Sequence, residues 1–119
     1  TICENPFPGW QQCAEVSVSE DGKTYHDFNC DQTDVNGVFS GCAGVHEVNY
    51  GLADVNYLDA NLSGGDSFDL SDLTDGALDS AHFIKITDIG LCEANADEIT
   101  YGYYGFDLDA LAVLHGQYQ

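Results

Sequence analysis

Residues 13–30, CAEVSVSEDGKTYHDFNC, decide the fold. Ala14, Val16 and Val18 alternate with Glu15, Ser17 and Ser19, the two-residue period of a strand with one face buried. Asp21-Gly22 then supplies a favoured two-residue hairpin turn. Beyond it, Thr24, His26 and Phe28 fall on one face and Tyr25 and Asp27 on the other. The stretch predicts a β-hairpin. A second strand is predicted in AHFIKITDIG, residues 81–90, with Phe83 and Lys85 on one side and Ile84 and Ile86 on the other. Thr87 and Asp88 are expected to end it before Gly90.

Outward from these two strands the pattern loosens. Residues 31–67 are rich in Gly, Asn and Asp and hold only short apolar pieces. Irregular stretches of this length in a compact domain tend to be functional or organised by metal. GGDSFDLSDLTDGALDSA, residues 64–81, has room for one short helical turn or an acidic loop. LCEANADEITYGYYG, residues 91–105, reads as an acidic loop carrying tyrosines. FDLDALAVLHG, residues 106–116, has helix-forming Ala and Leu, yet its Gly-bounded length of about ten residues suits a final buried strand with Leu111 and Val113 in the core. Turn signals punctuate the chain throughout, so the expected fold is all-β: an antiparallel β-sandwich with long loops, one domain over residues 1–119.

Charge narrows the function. The chain has 21 acidic residues against two lysines and no arginine, a formal net charge of −19. No cationic patch exists to displace counterions from phosphates, so nucleic-acid binding is excluded. Attraction to an anionic bilayer is excluded on the same ground, and no apolar run is long enough for membrane insertion. With 44% hydrophobic and 12% aromatic residues, the chain is nonetheless globular. Such an acid excess calls for a salty medium, wide spacing of the charges or bound cations.

The five cysteines, Cys3, Cys13, Cys30, Cys42 and Cys92, show no zinc-type spacing and point to an oxidising compartment. Cys30 and Cys42 flank a turn-rich loop and are expected to pair. Cys3 with Cys13 is the next natural loop, which leaves Cys92 free or bonded outside the chain. There is no signal peptide and no methionine, so the sequence reads as a mature or trimmed product, the C-terminal portion of a longer precursor.

Hard cations choose carboxylate and carbonyl oxygens, and calcium is the expected structural cofactor. Asp107 and Asp109, two apart on a strand, would project from one face roughly 7 Å apart. Asp66 and Asp69 of GGDSFDL, Asp88 at a strand end and Glu4 near the start of the chain are the further candidate ligands. None of these stretches matches a twelve-residue EF-hand loop. The competing reading is that these aspartates cap turns and accept backbone N–H bonds. His26, His46, His82 and His115 lie in no metal or catalytic motif and are read as structural or surface residues. No Gly-x-Ser-x-Gly elbow is present, and paired acids are too common here to be informative, so no enzymatic activity is expected. Trp10, Tyr50, Tyr57, Tyr101, Tyr103 and Tyr104 sit mostly in loops. Of these, Trp10, Tyr101, Tyr103 and Tyr104 are the candidate stacking platform for a sugar ring, against packing onto the sheet end. Asn61-Leu62-Ser63 is an N-glycosylation triplet of the kind that arises often by chance.

Six segments carry a resemblance: Glu4-Asn5-Pro6-Phe7, Ala14 to Gly22, Cys42-Ala43-Gly44-Val45, Gly64 to Leu70, Phe83 to Gly90 and Gly105 to Ala110. In this order they resemble the discoidin-like, galactose-binding-type β-sandwiches and, more narrowly, a group of secreted bacterial cell-surface proteins. The chain departs from that pattern at Lys85, where arginine is commoner, and in its abrupt start at TICENPF. The resemblance implies a jelly-roll fold, a secreted or cell-surface location, and adhesion to or recognition of a carbohydrate or cell-surface polymer. The alternative is a structural subunit of an extracellular fibre or surface layer, a homo-oligomer assembling by strand exchange or disulfide linkage.

Overall fold

A computed structural model describes residues 1–4, 11–49, 56, 58–76, 78–92 and 105–116. In chain order the elements are β1 (Ile2–Cys3), β2 (Gln12–Ser19), β3 (His26–Asp27), β4 (Cys42–Ala43), α1 (Ala60–Ser63), a 3-10 turn (Leu70–Asp72), β5 (Phe83–Leu91) and β6 (Ala110–Leu111). The described fold is all-β with one four-residue helix.

The alternating stretch becomes β2, the centre of the main sheet. Along one edge β2 pairs antiparallel with β5 from Gln12↔Leu91 to Ser19↔Phe83. Ala14 also pairs with Ala43 of β4, and Ser17 with Asp27 of β3, so those two short strands share the opposite edge. Cross-strand partners share a face, which puts Ile84 and Ile86 with Val18 and Val16, and Phe83 and Lys85 with Ser19 and Ser17. That is the division the alternation predicts. β5 runs on past Asp88, however, because a β-bulge at Cys13/Ala14 absorbs one residue and lets pairing continue to Leu91.

The hairpin is present, but its turn is wider than the predicted two residues. Asp21 is spent inside the loop: its Oδ1 accepts the N–H groups of Lys23 and Thr24 and the hydroxyl of Ser19. The chain therefore pairs again only at His26↔Val18. This loop carries Tyr25 to Lys85, whose Nζ stands 4.8 Å from the ring centroid. Such a contact is worth about 0.5–1 kcal/mol at an exposed site.

A second, two-stranded sheet joins the ends of the chain. β1 pairs with β6, Ile2↔Leu111 and Cys3↔Ala110, and Ile2 is bridged on its other side to Asp66. The Thr1 amine donates to the Ala112 carbonyl at 2.9 Å. The segment predicted as a long final strand is thus a strand only at Ala110–Leu111. Leu111 and Val113 are 40% and 60% exposed rather than in the core. Alternation there is too short to bury a face, and β1 offers only two residues to pair with.

The core has two parts. Ala14, Val16 and Val18 pack with Ile2, Phe28, Ala43 and Leu73 on one face of β2. Each fully buried Val or Ile contributes about 1.5–3 kcal/mol. The second cluster is built on cystines: Cys13, Phe39, Cys42, Val45 and Cys92. Cys30 is bonded to Cys42. Cys13 is bonded to Cys92, not to Cys3, and Cys3 is the free thiol. The sheet explains the exchange: Gly90 lies opposite Cys13, so the chain leaving β5 delivers Cys92 to it, while β1 carries Cys3 to β6 instead.

Candidate functional site around Asp66

Asp66 follows two glycines and is locked in place by its backbone, which exchanges two hydrogen bonds with Ile2, at 2.8 and 2.9 Å. Its side chain is buried. Oδ2 accepts the N–H groups of Gly44 at 2.8 Å and Val45 at 3.0 Å, and Oδ1 lies 2.7 Å from Nδ1 of His46. One carboxylate therefore ties the loop after β4 to β1. Hydrogen bonds to a charged acceptor contribute about 1.5–3 kcal/mol each, so this knot is a major local constraint. Gly44 is indispensable to it: φ is +84°, and a Cβ would stand 1.9 Å from the Gln12 carbonyl oxygen.

Glu4 lies on the same side of the molecule, two residues beyond Ile2. It is 5% exposed, and its Oε2 is buried with no hydrogen-bond partner among the described residues. Its pKa is pushed up to about 7, first by burial and then by the negative charges of Asp109, Asp107 and Asp66. The chain itself sets this neighbourhood: Asp109 donates its N–H to the Cys3 carbonyl at 3.0 Å, while Asp66 flanks Ile2 on the other edge of β1. Asp107 and Asp109 are exposed and lie outside any strand.

Of the six predicted metal ligands, Glu4 is the one whose charge state feels Asp109, Asp107 and Asp66. Asp69 is spent elsewhere: it accepts the Ser71 N–H at 2.9 Å and hydroxyl at 2.8 Å, and these bonds hold its pKa below the ordinary carboxylate value. Asp88 accepts the Gly90 N–H across the bulge at 2.8 Å, and its Oδ2 lies 3.3 Å from where a Cβ on Gly105 would stand. It adjoins the segment leading to Asp107. Among the described residues no three acidic, His or Cys side chains already stand in metal-holding geometry. The aromatic candidates Trp10, Tyr101, Tyr103 and Tyr104 lie outside the described residues.

Asp66 also borders an open cleft of about 520 Å³ between the loop around residues 38–42 and residues 66–74. Phe28 and Phe68 form its aromatic wall, with ring centroids 5.0 Å apart and planes tilted by 59°. Asn29, Ser40, His46 and Asp72 supply polar groups. Asn29 and Phe39, at φ +50° and +46°, are the non-glycine residues with left-handed backbone among those described, and both line this cleft. Such conformations cost about 1–3 kcal/mol each and persist where the surroundings over-determine them, commonly at binding sites. Here the Cys30–Cys42 bond brackets the pair. The sequence signal for this site is faint: Asn tolerates the left-handed region, but nothing marks Phe39.

Compared with protein-family models, curated proteins and solved structures, the chain matches none. Among the described residues no helix is long and apolar enough to cross a membrane.

Proposed function

We propose that this chain is an extracellular, non-enzymatic surface domain for adhesion or carbohydrate recognition, folded as a galactose-binding-type jelly-roll sandwich. The observation that carries the reading is the cleft framed by Asn29 and Phe39. It is concave, braced by a cystine, walled by two aromatic rings and edged with hydroxyl, amide and carboxylate groups. With 21 acidic residues in the chain, an anionic ligand is repelled, and a neutral hydroxylated ring suits the mixed lining. Two disulfides favour an oxidising, extracellular setting. Three of the four histidines are engaged in supporting contacts, His26 with Asp75, His46 with Asp66 and His82 with the Glu20 carbonyl, which favours a structural role for them.

The test is a glycan screen read by thermal shift and titration calorimetry, repeated with Asp72→Ala, an exposed residue of the cleft rim. Binding of a neutral saccharide that Asp72→Ala weakens, with the fold intact, supports the reading. Absence of binding across neutral glycans overturns it.

A fibre subunit is the second reading, favoured by β5. This nine-residue strand has no buried residue, and Phe83 and Ile84 are 47% and 44% exposed. Such an edge is a template for strand addition. Concentration-dependent multimers that Ile84→Lys abolishes would favour it over the recognition domain.

A further inference from the structure

We propose, on the recognition reading of the cleft, that His46 is its specificity-determining residue: Nε2 of the imidazole accepts a hydrogen bond from one hydroxyl of a neutral pyranose. The starting point is the direction in which the Asp66–His46 contact acts. Asp66 does not depend on His46 for its place. Its backbone is tied twice to Ile2, and its Oδ2 takes the N–H groups of Gly44 and Val45. His46 has the opposite standing. Its side chain is 68% exposed and is held by one bond, the 2.7 Å contact between Nδ1 and Oδ1 of Asp66. The buried carboxylate is the anchor, and the imidazole is what it positions.

That anchor also decides where the proton sits. A carboxylate accepts and has nothing to donate, so the hydrogen in the 2.7 Å contact belongs to Nδ1. In the neutral ring Nε2 is then left with a lone pair and no hydrogen. Among the described residues Nε2 has no hydrogen-bond partner. His46 and Asp66 both line the cleft, so a fixed, uncharged acceptor belongs to its lining.

The rest of the lining gives that acceptor its significance. Ser40 and Thr74 bring hydroxyls and Asn29 an amide, groups that both donate and accept. A hydroxyl adapts by rotating, whereas a nitrogen locked in one tautomer demands a donor at one place. With the sugar ring laid against Phe28 and Phe68, this demand separates a pyranose that turns a hydroxyl towards His46 from one that does not. Because His46 is exposed, water replaces a missing hydroxyl, and the discrimination is about tenfold rather than the far larger factor of a dry site.

The test is calorimetry at about pH 8, where an ordinary imidazole is neutral, with the methyl glycosides of glucose, galactose, mannose and N-acetylglucosamine. Two substitutions separate the ring nitrogens. His46→Asn places an amide N–H where Nδ1 stands, which keeps the bond to Asp66 and deletes Nε2. His46→Gln carries an amide oxygen out to the level of Nε2 and restores the acceptor. Urea melts of both variants are expected to match the wild type. At least one glycoside is expected to bind the wild type, to lose about tenfold in affinity with His46→Asn and to stay within about threefold with His46→Gln. Equal affinity of the wild type and His46→Asn overturns the role of His46 and leaves the recognition reading standing. Equal loss in both variants also overturns it, since an acceptor at the level of Nε2 then does not suffice. No binding of the four glycosides by the wild type overturns the proposal too, whereas the recognition reading falls only if the wider glycan screen is empty.

Discussion

Cys13 and Cys92 are bonded across 79 positions of sequence, at the end of the β2–β5 pair where Gly90 lies opposite Cys13. Both sulfurs are fully buried in the second core cluster. Closing a loop of this length lowers the entropy of the unfolded chain by about 4–5 kcal/mol at 25 °C, against about 3 kcal/mol for Cys30–Cys42. Replacing Cys92 by Ser is therefore expected to be the more damaging of the two disulfide losses, and denaturant melts of the two variants compare them. Cys3→Ser breaks no bond and is expected to cost under about 1 kcal/mol.

Cys3 should also react slowly. Burial raises its thiol pKa, and the Asp66 and Asp109 charges add to the rise, outweighing the opposing pull of the N-terminal amine. Only the thiolate is nucleophilic. Alkylation by iodoacetamide at pH 8 is expected to be slower in the folded protein than in the denatured one, and mass spectrometry of timed samples reads the difference.

The Asp66 knot predicts a sharp contrast between partners. Asp66→Ala strands two buried N–H groups and is expected to cost about 3–5 kcal/mol. His46 is largely exposed, so His46→Ala should cost under about 1 kcal/mol. Urea titrations of both variants measure it.

Gly44 and Gly76 give a matched pair. Both have positive φ, but a Cβ at Gly44 meets the Gln12 carbonyl oxygen, whereas at Gly76 it meets nothing within 4 Å. Gly76→Ala is expected to cost about 1–3 kcal/mol, the backbone penalty alone. Gly44→Ala must also displace β2 and is expected to cost about 3 kcal/mol or more. Equal effects would mean that the close approach at Gly44 is absent.

Glu4 should make the protein less stable as the pH rises. Its folded-state pKa of about 7 exceeds the ordinary 4.5 because burial, and then Asp109, Asp107 and Asp66, disfavour the charged form. Between those two values the folded chain binds the proton more tightly than the unfolded chain. The contribution of Glu4 to stability is therefore greatest below about pH 4.5, falls through the window and reaches its floor above about pH 7. Since Asp107 and Asp109 are exposed and screened by water, the loss is on the order of 1–2 kcal/mol. Glu4→Gln should flatten this part of the stability profile relative to the wild type, as urea titrations across pH 4–8 would show.

What the sequence made legible was governed by local periodicity. Ala14, Val16 and Val18 announce β2 because they alternate over enough residues to bury one face, and Ile84 and Ile86 announce β5 by the same alternation although no residue of that strand is buried. Residues 106–116 show the limit: two aspartates and an alanine-leucine run satisfy helix and strand alike, and the partner strand decides. Cys30–Cys42 was legible from its turn-rich loop, whereas Cys13–Cys92 was not, because it depends on the long-range register that sets Gly90 against Cys13. Glu4, Asp66, Asp107 and Asp109 were named as metal ligands from composition and position, and among the described residues no three acidic, His or Cys side chains stand in metal-holding geometry. That Asp69 would instead serve the 3-10 turn, and Asp21 widen the hairpin, depended on which nearby N–H groups each could reach.

The junction between the Thr1 amine and the Ala112 carbonyl has a mechanical consequence. Force applied through the two ends of the chain meets a two-residue ribbon whose bonds open one after another, like a zipper, and so yields at low load. The opening then halts, because Cys13 and Cys92 are covalently linked and everything between them is shielded from the pull. Under tension the ribbon parts, while the body closed by the Cys13–Cys92 bond does not unravel.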